Sequence, residues 1–315
     1  MRKHGGKAQN KRRQWGGKSL GFAEELTAVG VKAPMIRTIA RGFAFPEGPR
    51  WHEGRLWFAD QHGGTVYVLE PDGSIHEHFD VPGGPSGMGW LPNGDLLVVS
   101  MDERRLYRRR SDAQLVVHAE LADIHSGQSN DMVVDHLGRA YVGNVGFDYF
   151  NGEAPRSTCI AAVADEGMVT VAADHLHCPN GSVITPDGRT FIVAETFAFR
   201  LTAFDIDEEG RLSNRRVFAD LGGYAPDGIC LDAEGCVWVA VALANSVIRV
   251  REGGEILTQI PMEGARPYAC MLGGMDGRDL FICCASDHDP AVTVKVRSGR
   301  IDAARVDVGS SGARP

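Results

Sequence analysis

A short motif recurs six times along this 315-residue chain at nearly regular intervals. The copies are Pro46-Glu47-Gly48, Pro85-Ser86-Gly87, Ser129-Asn130-Asp131, Pro179-Asn180-Gly181, Pro226-Asp227-Gly228 and Pro267-Tyr268-Ala269. Their first residues are separated by 39, 44, 50, 47 and 41 residues. A repeat of this length built from short strands is typical of a β-propeller, in which each repeat forms one blade. The sequence therefore predicts an all-β fold, a six-bladed β-propeller.

Within each repeat, apolar runs alternate with turns that contain glycine. Pairs such as Asn93-Gly94 and Asp187-Gly188 tolerate the positive φ angles that tight hairpins require. This order predicts blades of four antiparallel strands. In the sixth repeat, strands are predicted over residues 270–272, 280–284 and 291–296.

The strand predicted over residues 35–45 precedes the first repeat and has no blade of its own. We expect it to pair with residues 300–308 and close the last blade, because this pairing removes an exposed sheet edge. The sequence thus predicts one propeller domain over residues 35–315. A lead-in segment over residues 21–34 and a disordered tail over residues 1–20 are predicted to precede it.

Charge is distributed unevenly along the chain. The net charge is −8, whereas residues 1–20 contain seven Lys or Arg and no acidic residue, which leaves −15 for the remainder. An acidic body argues against a nucleic-acid-binding face. No apolar run approaches the roughly 20 residues of a membrane helix, so no membrane partner is predicted. Arg12-Arg13 is not followed by an apolar segment, which disfavours export.

The seven cysteines indicate a reducing compartment. Their number is odd, no Cys-x-x-Cys pair occurs, and Cys283-Cys284 lies in an apolar run. Reduced thiols in a cytoplasmic protein are therefore predicted, with a buried structural role for Cys283 and Cys284.

Four middle residues of the motif are strong oxygen donors. If the repeats are equivalent blades, Glu47, Asn130, Asn180 and Asp227 converge on the propeller axis. Two carboxylates and two amides suit Ca²⁺, Mg²⁺ or Mn²⁺, while zinc is less natural without His or Cys. Ordinary turns explain any single triplet equally well. They do not explain acids and amides at equivalent positions of several repeats.

The same end of the channel is expected to carry six loops. In a blade whose strands run alternately up and down, the start of the first strand and the link between the second and third strands share one face. A small-molecule pocket is therefore predicted at this face. The Asp287-His288-Asp289 cluster within it is interpreted as a solvated loop. The loops cover residues 60–62, 101–102, 144–150, 195–199, 242–243 and 286–289.

Several ordered motifs resemble the senescence-marker-protein/gluconolactonase/regucalcin family of six-bladed propellers. They are Phe45-Pro46-Glu47-Gly48-Pro49-Arg50-Trp51, Ser129-Asn130-Asp131, Pro179-Asn180-Gly181 with Thr202-Ala203-Phe204-Asp205, and the run from Pro226 to Gly235. Together they span roughly residues 35–300, and several motifs in order are more specific than any one alone.

The resemblance implies a metal-dependent lactone hydrolase. It implies that Glu47, Asn180 and Asp227 bind one divalent cation, with calcium preferred and magnesium, manganese or zinc as alternatives. It also implies that Asn130 lies beside the metal and contacts metal or substrate, and that Asp227 doubles as general base. The cation would polarise the lactone carbonyl, and either Asp227 or the cation would activate the attacking water.

One departure from the family pattern concerns the substrate. Sugar-lactone members often carry Arg two residues before the Asn130 position, and here that residue is Gln128. Phe147 and Phe197 add aromatic surface near the predicted mouth, although packing within the loops explains them equally well. We therefore expect Asn130, Gln128, Phe147 and Phe197 to contact a small-molecule substrate less polar than a sugar lactone.

Two other functions are compatible with the same residues. One is a metal- or ligand-binding propeller without catalytic activity. The other is a different reaction on this scaffold, such as phosphotriester hydrolysis or a lyase or cyclase reaction.

Overall fold

Almost all of the regular structure in the computed structural model, which describes residues 34–313, is β-strand. The basic tail predicted over residues 1–20 lies outside the described residues, as does the lead-in over residues 21–34 apart from Pro34. The strands form six separate four-stranded antiparallel sheets. The predicted six-bladed β-propeller is therefore confirmed.

The first three blades each use four strands in chain order. They contain β2 to β5 (Pro46–His52, Arg55–Asp60, Thr65–Leu69, Ile75–Asp80), β6 to β9 (Pro85–Trp90, Leu96–Ser100, Arg105–Arg109, Leu115–Glu120) and β10 to β13 (Ser129–Val134, Ala140–Asn144, Thr158–Val163, Val169–Leu176). The next two blades follow the same order. They contain β14 to β17 (Pro179–Ile184, Thr190–Glu195, Arg200–Ile206, Leu212–Asp220) and β18 to β21 (Ile229–Leu231, Val237–Val241, Ser246–Val250, Ile256–Pro261).

The sixth blade joins the two ends of the described chain. It contains β22 (Arg266–Gly273), β23 (Asp279–Ala285) and β24 (Gly299–Arg305), and its outer strand is β1 (Ile36–Phe43). Asp302 on β24 is fully buried and accepts hydrogen bonds from Thr38 Oγ1 at 2.7 Å and Arg300 Nε at 2.9 Å. The predicted closure by the N-terminal strand is confirmed.

One predicted strand is wrong. Residues 291–296 belong to a short helix, α1 (Pro290–Val296), in the connection between β23 and β24. Asp289 caps this helix by accepting a hydrogen bond from the Ala291 amide at 2.9 Å, and Pro290 occupies its first turn. Both residues favour a helix start. The β-branched residues of this segment favour a strand, but the N-terminal cap and the burial of Thr293 stabilise the helix instead.

The inner strands share an irregularity at the motif. The register of the inner strand against its neighbour shifts by one residue between Glu47 and Arg50, and a corresponding shift occurs in the second, third, fourth and sixth blades. A β-bulge of this kind leaves a residue out of the ladder and redirects side chains. The bulges therefore explain how consecutive motif residues leave the sheet plane near the channel.

Apolar side chains fill the space between neighbouring blades. One cluster, for example, joins Ile192 and Leu201 of the fourth blade to Val239 and Ile248 of the fifth. All seven cysteines are free, as predicted, and all are buried, including Cys283 and Cys284, for which burial was predicted. Among the residues described, no helix has both the length and the apolar character needed to cross a membrane.

Candidate functional site

The structure places the six middle residues of the motif at equivalent positions. Each lies at the start of an inner strand or immediately before it: Glu47, Ser86, Asn130, Asn180, Asp227 and Tyr268. We call these six residues the channel ring. Contacts link the ring to the loops that were predicted to share its face. Ser86 Oγ accepts a hydrogen bond from Gln61 Nε2 at 3.0 Å, and Asn180 Nδ2 lies 3.3 Å from Thr196 Oγ1.

The two carboxyl groups of the ring both have pKa values above their usual range. Glu47 is buried, and burial followed by the negative charge of Asp227 raises its pKa well above the usual range. One of its oxygens, Oε2, accepts a hydrogen bond from the Gly48 amide at 2.7 Å. Burial likewise raises the pKa of Asp227 to about 7, against the opposing hydrogen bond from Asn180. Both groups therefore resist ionisation in the absence of a cation.

Asn180 is held directly against Asp227. Its Nδ2 donates to Asp227 Oδ1 at 2.5 Å. The neighbouring Thr196 hydroxyl donates to the Pro226 carbonyl at 2.8 Å, which ties the start of a short 3₁₀ turn to the segment that carries Asp227. A rotation of the Asn180 amide by 180° would present its oxygen to a cation beside the Asp227 carboxylate.

Asn130 is buried on the third blade, and its side-chain amide makes no hydrogen bond to another residue of the described chain. Its neighbour Asp131 is also buried and forms an ion pair of 2.5 Å with Arg50 Nη2. Arg50 donates further hydrogen bonds to the carbonyls of Met88 at 2.9 Å and Met132 at 2.6 Å. One guanidinium thus ties the first three inner strands together close to the ring.

Sequence reasoning gave no role to Arg50 and Asp131, although a signal was present. The third motif position is Gly in four repeats and Ala in a fifth, and only Asp131 is charged. The geometry also requires Gly87, because a Cβ there would lie 2.3 Å from the Met132 amide nitrogen and 2.5 Å from Asp131 Oδ1. The glycine lets neighbouring inner strands approach closely enough for the ion pair to form.

The donor set of the ring fits a divalent cation. Among residues 34–313, no three His, Cys, Asp or Glu side chains converge as metal ligands, so such a site depends on the amides. Neither Glu47 nor Asp227 has a Lys, Arg or His partner within ion-pair distance among the described residues, whereas Asp131 is paired. Two buried carboxylates without a cationic partner, next to an amide, match the oxygen ligands that Ca²⁺ prefers.

The predicted substrate residues occupy different depths of the mouth. Gln128 Nε2 donates to Asp102 Oδ1 at 2.5 Å, which links the third blade to a loop of the second. Phe147 is buried and packs on the half-buried Phe197, with ring centroids 5.3 Å apart. Phe147 therefore packs beneath the aromatic surface of the mouth, and the half-buried Phe197 forms part of that surface.

Sequence reasoning did not anticipate a contact across the mouth. Tyr149 lies on the third blade and His288 on the sixth, and these blades stand on opposite sides of a six-membered ring. The Tyr149 hydroxyl lies 3.1 Å from His288 Nε2, and the Tyr149 ring is 6.2 Å from that of Phe197. His288 is thus part of the mouth surface.

A cavity lined by Arg50, Ser182 and Cys230 lies further along the channel, on the side away from the mouth.

Comparisons with known proteins agree with this architecture. Residues 45–286 match the family model described as the SMP-30/gluconolactonase/LRE-like region. Pentonolactonase XacC of Haloferax volcanii is 26% identical over 292 residues, which cover 88% of this chain and 96% of that protein. The 6-deoxy-6-sulfogluconolactonase of Pseudomonas putida is 28% identical over 274 residues, covering 83% and 91%. A calcium-binding protein, regucalcin, from Agrobacterium tumefaciens has the same fold, with a TM-score of 0.75 at 24% identity, covering 88% and 95%.

Proposed function

The chain belongs to the SMP-30/gluconolactonase/LRE-like family, and from this premise we propose that it is a hydrolase that opens lactones with one divalent cation. Relatives that span most of the chain are named pentonolactonase and sulfogluconolactonase. The observation that carries the proposal is the channel ring, in which the buried carboxyl groups of Glu47 and Asp227 both have raised pKa values and have no cationic partner among the described residues. A cation is the partner that such a pair lacks.

Glu47, Asn180 and Asp227 would hold this cation. When bound, it would polarise the lactone carbonyl and stabilise the negative charge that develops on the carbonyl oxygen. Calcium is our first choice, because the donors are all oxygen atoms. The regucalcin with the same fold is itself described as calcium-binding.

Asp227 and Asn130 have separate tasks in the proposed reaction. Asp227 accepts a proton from the attacking water through the carboxylate oxygen that does not hold the cation. Asn130 orients water or substrate, because its amide has no hydrogen-bond partner of its own within the described chain. Both residues therefore act on groups that enter the channel.

The mouth favours a substrate less polar than a sugar lactone. Phe197 and Tyr149 form an aromatic surface above the ring. The side chain at position 128 is an amide already engaged by Asp102, so it offers less to substrate hydroxyl groups than a free guanidinium would. An apolar or aromatic lactone would bury this surface and gain hydrophobic stabilisation.

Acid release from a lactone panel tests the proposal. Sugar, aliphatic and aromatic lactones are titrated in a pH-stat after chelation and again after addition of Ca²⁺, Mg²⁺, Mn²⁺ or Zn²⁺. We expect turnover that is abolished by chelation, restored by calcium and fastest with the less polar lactones. Thermal unfolding with each cation provides a second readout that is independent of activity.

The outcomes separate the candidate functions. Calcium stabilisation without turnover of any lactone would indicate a binding propeller instead of an enzyme. Turnover that survives chelation would refute metal dependence. A preference for sugar lactones over all others would refute the substrate assignment and leave the reaction class intact.

A further inference from the structure

Tyr268 occupies the sixth position of the channel ring, but the proposed reaction gives it no role. It lies on β22 at a register shift, where Pro267 and Ala269 pair with the consecutive residues Cys284 and Cys283. The bulge leaves Tyr268 as the extra residue of the inner strand. A bulge redirects the side chain it carries, and bulges are frequent next to active sites.

The environment of Tyr268 is apolar on one side and charged on the other. Its ring packs on Phe45, with centroids 4.5 Å apart, and only 4% of the residue is exposed. Its carbonyl accepts a hydrogen bond from the Gly228 amide at 2.8 Å, which places the residue beside the segment that carries Asp227. Asp227 of the ring and Asp287 of the mouth both act electrostatically on its hydroxyl. The hydroxyl therefore lies within electrostatic range of both the ring and the mouth.

The hydroxyl group is buried and has no hydrogen bond of normal geometry among the described residues, although the Arg266 guanidinium interacts with it. Arg266 carries only donors, so the hydroxyl proton lacks an acceptor. An unsatisfied buried hydroxyl is unfavourable, and native proteins rarely retain one without a reason. Burial raises the pKa of Tyr268, while Arg266 opposes the rise and Asp227 adds to it. The phenol therefore remains protonated at neutral pH and can act as a neutral hydrogen-bond donor.

We propose that the Tyr268 hydroxyl donates a hydrogen bond to the ring oxygen of the bound lactone, the oxygen that leaves when the ring opens. This inference rests on the proposed function. The cation would stabilise the carbonyl oxygen of the lactone. The carboxylates of Glu47 and Asp227, when ionised, can only accept hydrogen bonds and cannot donate them to the ring oxygen. Asn130 stands on the blade opposite Tyr268. Tyr268 is thus the neutral donor on the Asp227 side of the channel, and its bond strengthens as negative charge develops on the leaving oxygen.

A Tyr268→Phe variant removes only the hydroxyl and keeps the packing on Phe45. The probes are δ-valerolactone, whose leaving group is an alkoxide, and 3,4-dihydrocoumarin, whose leaving group is a phenoxide. A phenol ionises near pH 10, far more readily than an aliphatic alcohol, so its departure needs less help. We expect kcat/KM for δ-valerolactone to fall by about 10²-fold to 10³-fold, and that for dihydrocoumarin to fall by less than about tenfold.

Tyr141→Phe is the matched control. Tyr141 is equally buried, but its hydroxyl donates to the Gly210 carbonyl at 2.8 Å, away from the ring. We expect this variant to melt at a lower temperature with unchanged kcat/KM. Tyr268→Phe should melt at a nearly unchanged temperature and bind calcium as the wild type does, since the hydroxyl donates no hydrogen bond within the described protein.

Each possible result of these measurements supports or overturns the role assigned to the Tyr268 hydroxyl. Full activity of Tyr268→Phe on both lactones overturns the role of Tyr268 while leaving the proposed function in place. Equal losses on both lactones overturn the assignment to the leaving oxygen, and weaker calcium binding would make Tyr268 part of the metal site instead. If the wild type opens no lactone of the full panel with any cation, the proposed function fails, and the assignment of Tyr268 fails with it.

Discussion

Replacing Asp227 by Asn should stabilise the protein while abolishing its activity. Folding raises the pKa of Asp227 from 3.8 to about 7, chiefly through burial. A carboxyl whose pKa is higher in the folded state lowers the free energy of unfolding as the pH rises between these two values. At about 1.4 kcal/mol for each pH unit, the full effect above pH 7 is roughly 4 kcal/mol. Asn cannot ionise, so Asp227→Asn removes this penalty.

Urea unfolding of the chelated protein measures the effect. At pH 8 we expect Asp227→Asn to exceed the wild type in free energy of unfolding by about 2 to 4 kcal/mol. The difference should shrink towards zero as the pH falls to about 4, where Asp227 is protonated in the folded wild type as well. A large excess of calcium should reverse the order, because the wild type gains about 4.1 kcal/mol at a concentration about 1,000 times its Kd.

The same substitution at Asp232 provides the control. Asp232 is fully buried and forms an ion pair of 2.6 Å with Arg249 Nε. Breaking a buried pair of this kind costs about 3 to 5 kcal/mol, so Asp232→Asn should destabilise the protein with or without calcium. If Asp227→Asn destabilises the chelated protein at pH 8 as Asp232→Asn does, the Asp227 charge is compensated and the reasoning behind the cation site is wrong.

Three further predictions concern groups that support the site. Arg50→Met should lower the free energy of unfolding by about 3 to 5 kcal/mol, measured by urea unfolding, because Asp131 loses its buried partner; a loss below about 1 kcal/mol would contradict this. Gly181→Ala should remove the thermal stabilisation by calcium in a folded protein, since a Cβ there would lie 2.6 Å from the Ile229 amide nitrogen. Asp289→Ala should accelerate amide hydrogen exchange in α1 alone, because the loss of a helix N-cap costs about 1 kcal/mol, and unchanged exchange there would exclude the capping role.

Much of the architecture is determined by local sequence pattern. The regular motif and its glycine turns predict the number of blades, because each hairpin is defined by nearby residues that tolerate positive φ. The surplus strand before the first repeat predicts the closure of the sixth blade. The equivalence of the repeats also predicts that Glu47, Asn180 and Asp227 occupy corresponding positions. These inferences need repetition along the chain and no knowledge of distances.

Other features depend on which blades face each other after the ring closes. The β-branched residues 291–296 favour a strand by propensity, but the Asp289 cap and the burial of Thr293, whose hydroxyl lies 2.7 Å from His62 Nδ1, favour a helix. Propensity is weak where tertiary contacts compete with it.

Only the tertiary structure brings together residues that are distant in sequence. Arg50 meets Asp131, 81 residues further on, and Tyr149 meets His288, 139 residues further on. Such contacts follow from the curvature of the closed ring and from the bulges that turn side chains out of each inner strand. The sequence therefore determined the blades and the positions of the candidate ligands. The fold decided which charge remains unpaired and which hydroxyl, that of Tyr268, is left without an acceptor in the described chain, because these properties depend on distances between blades.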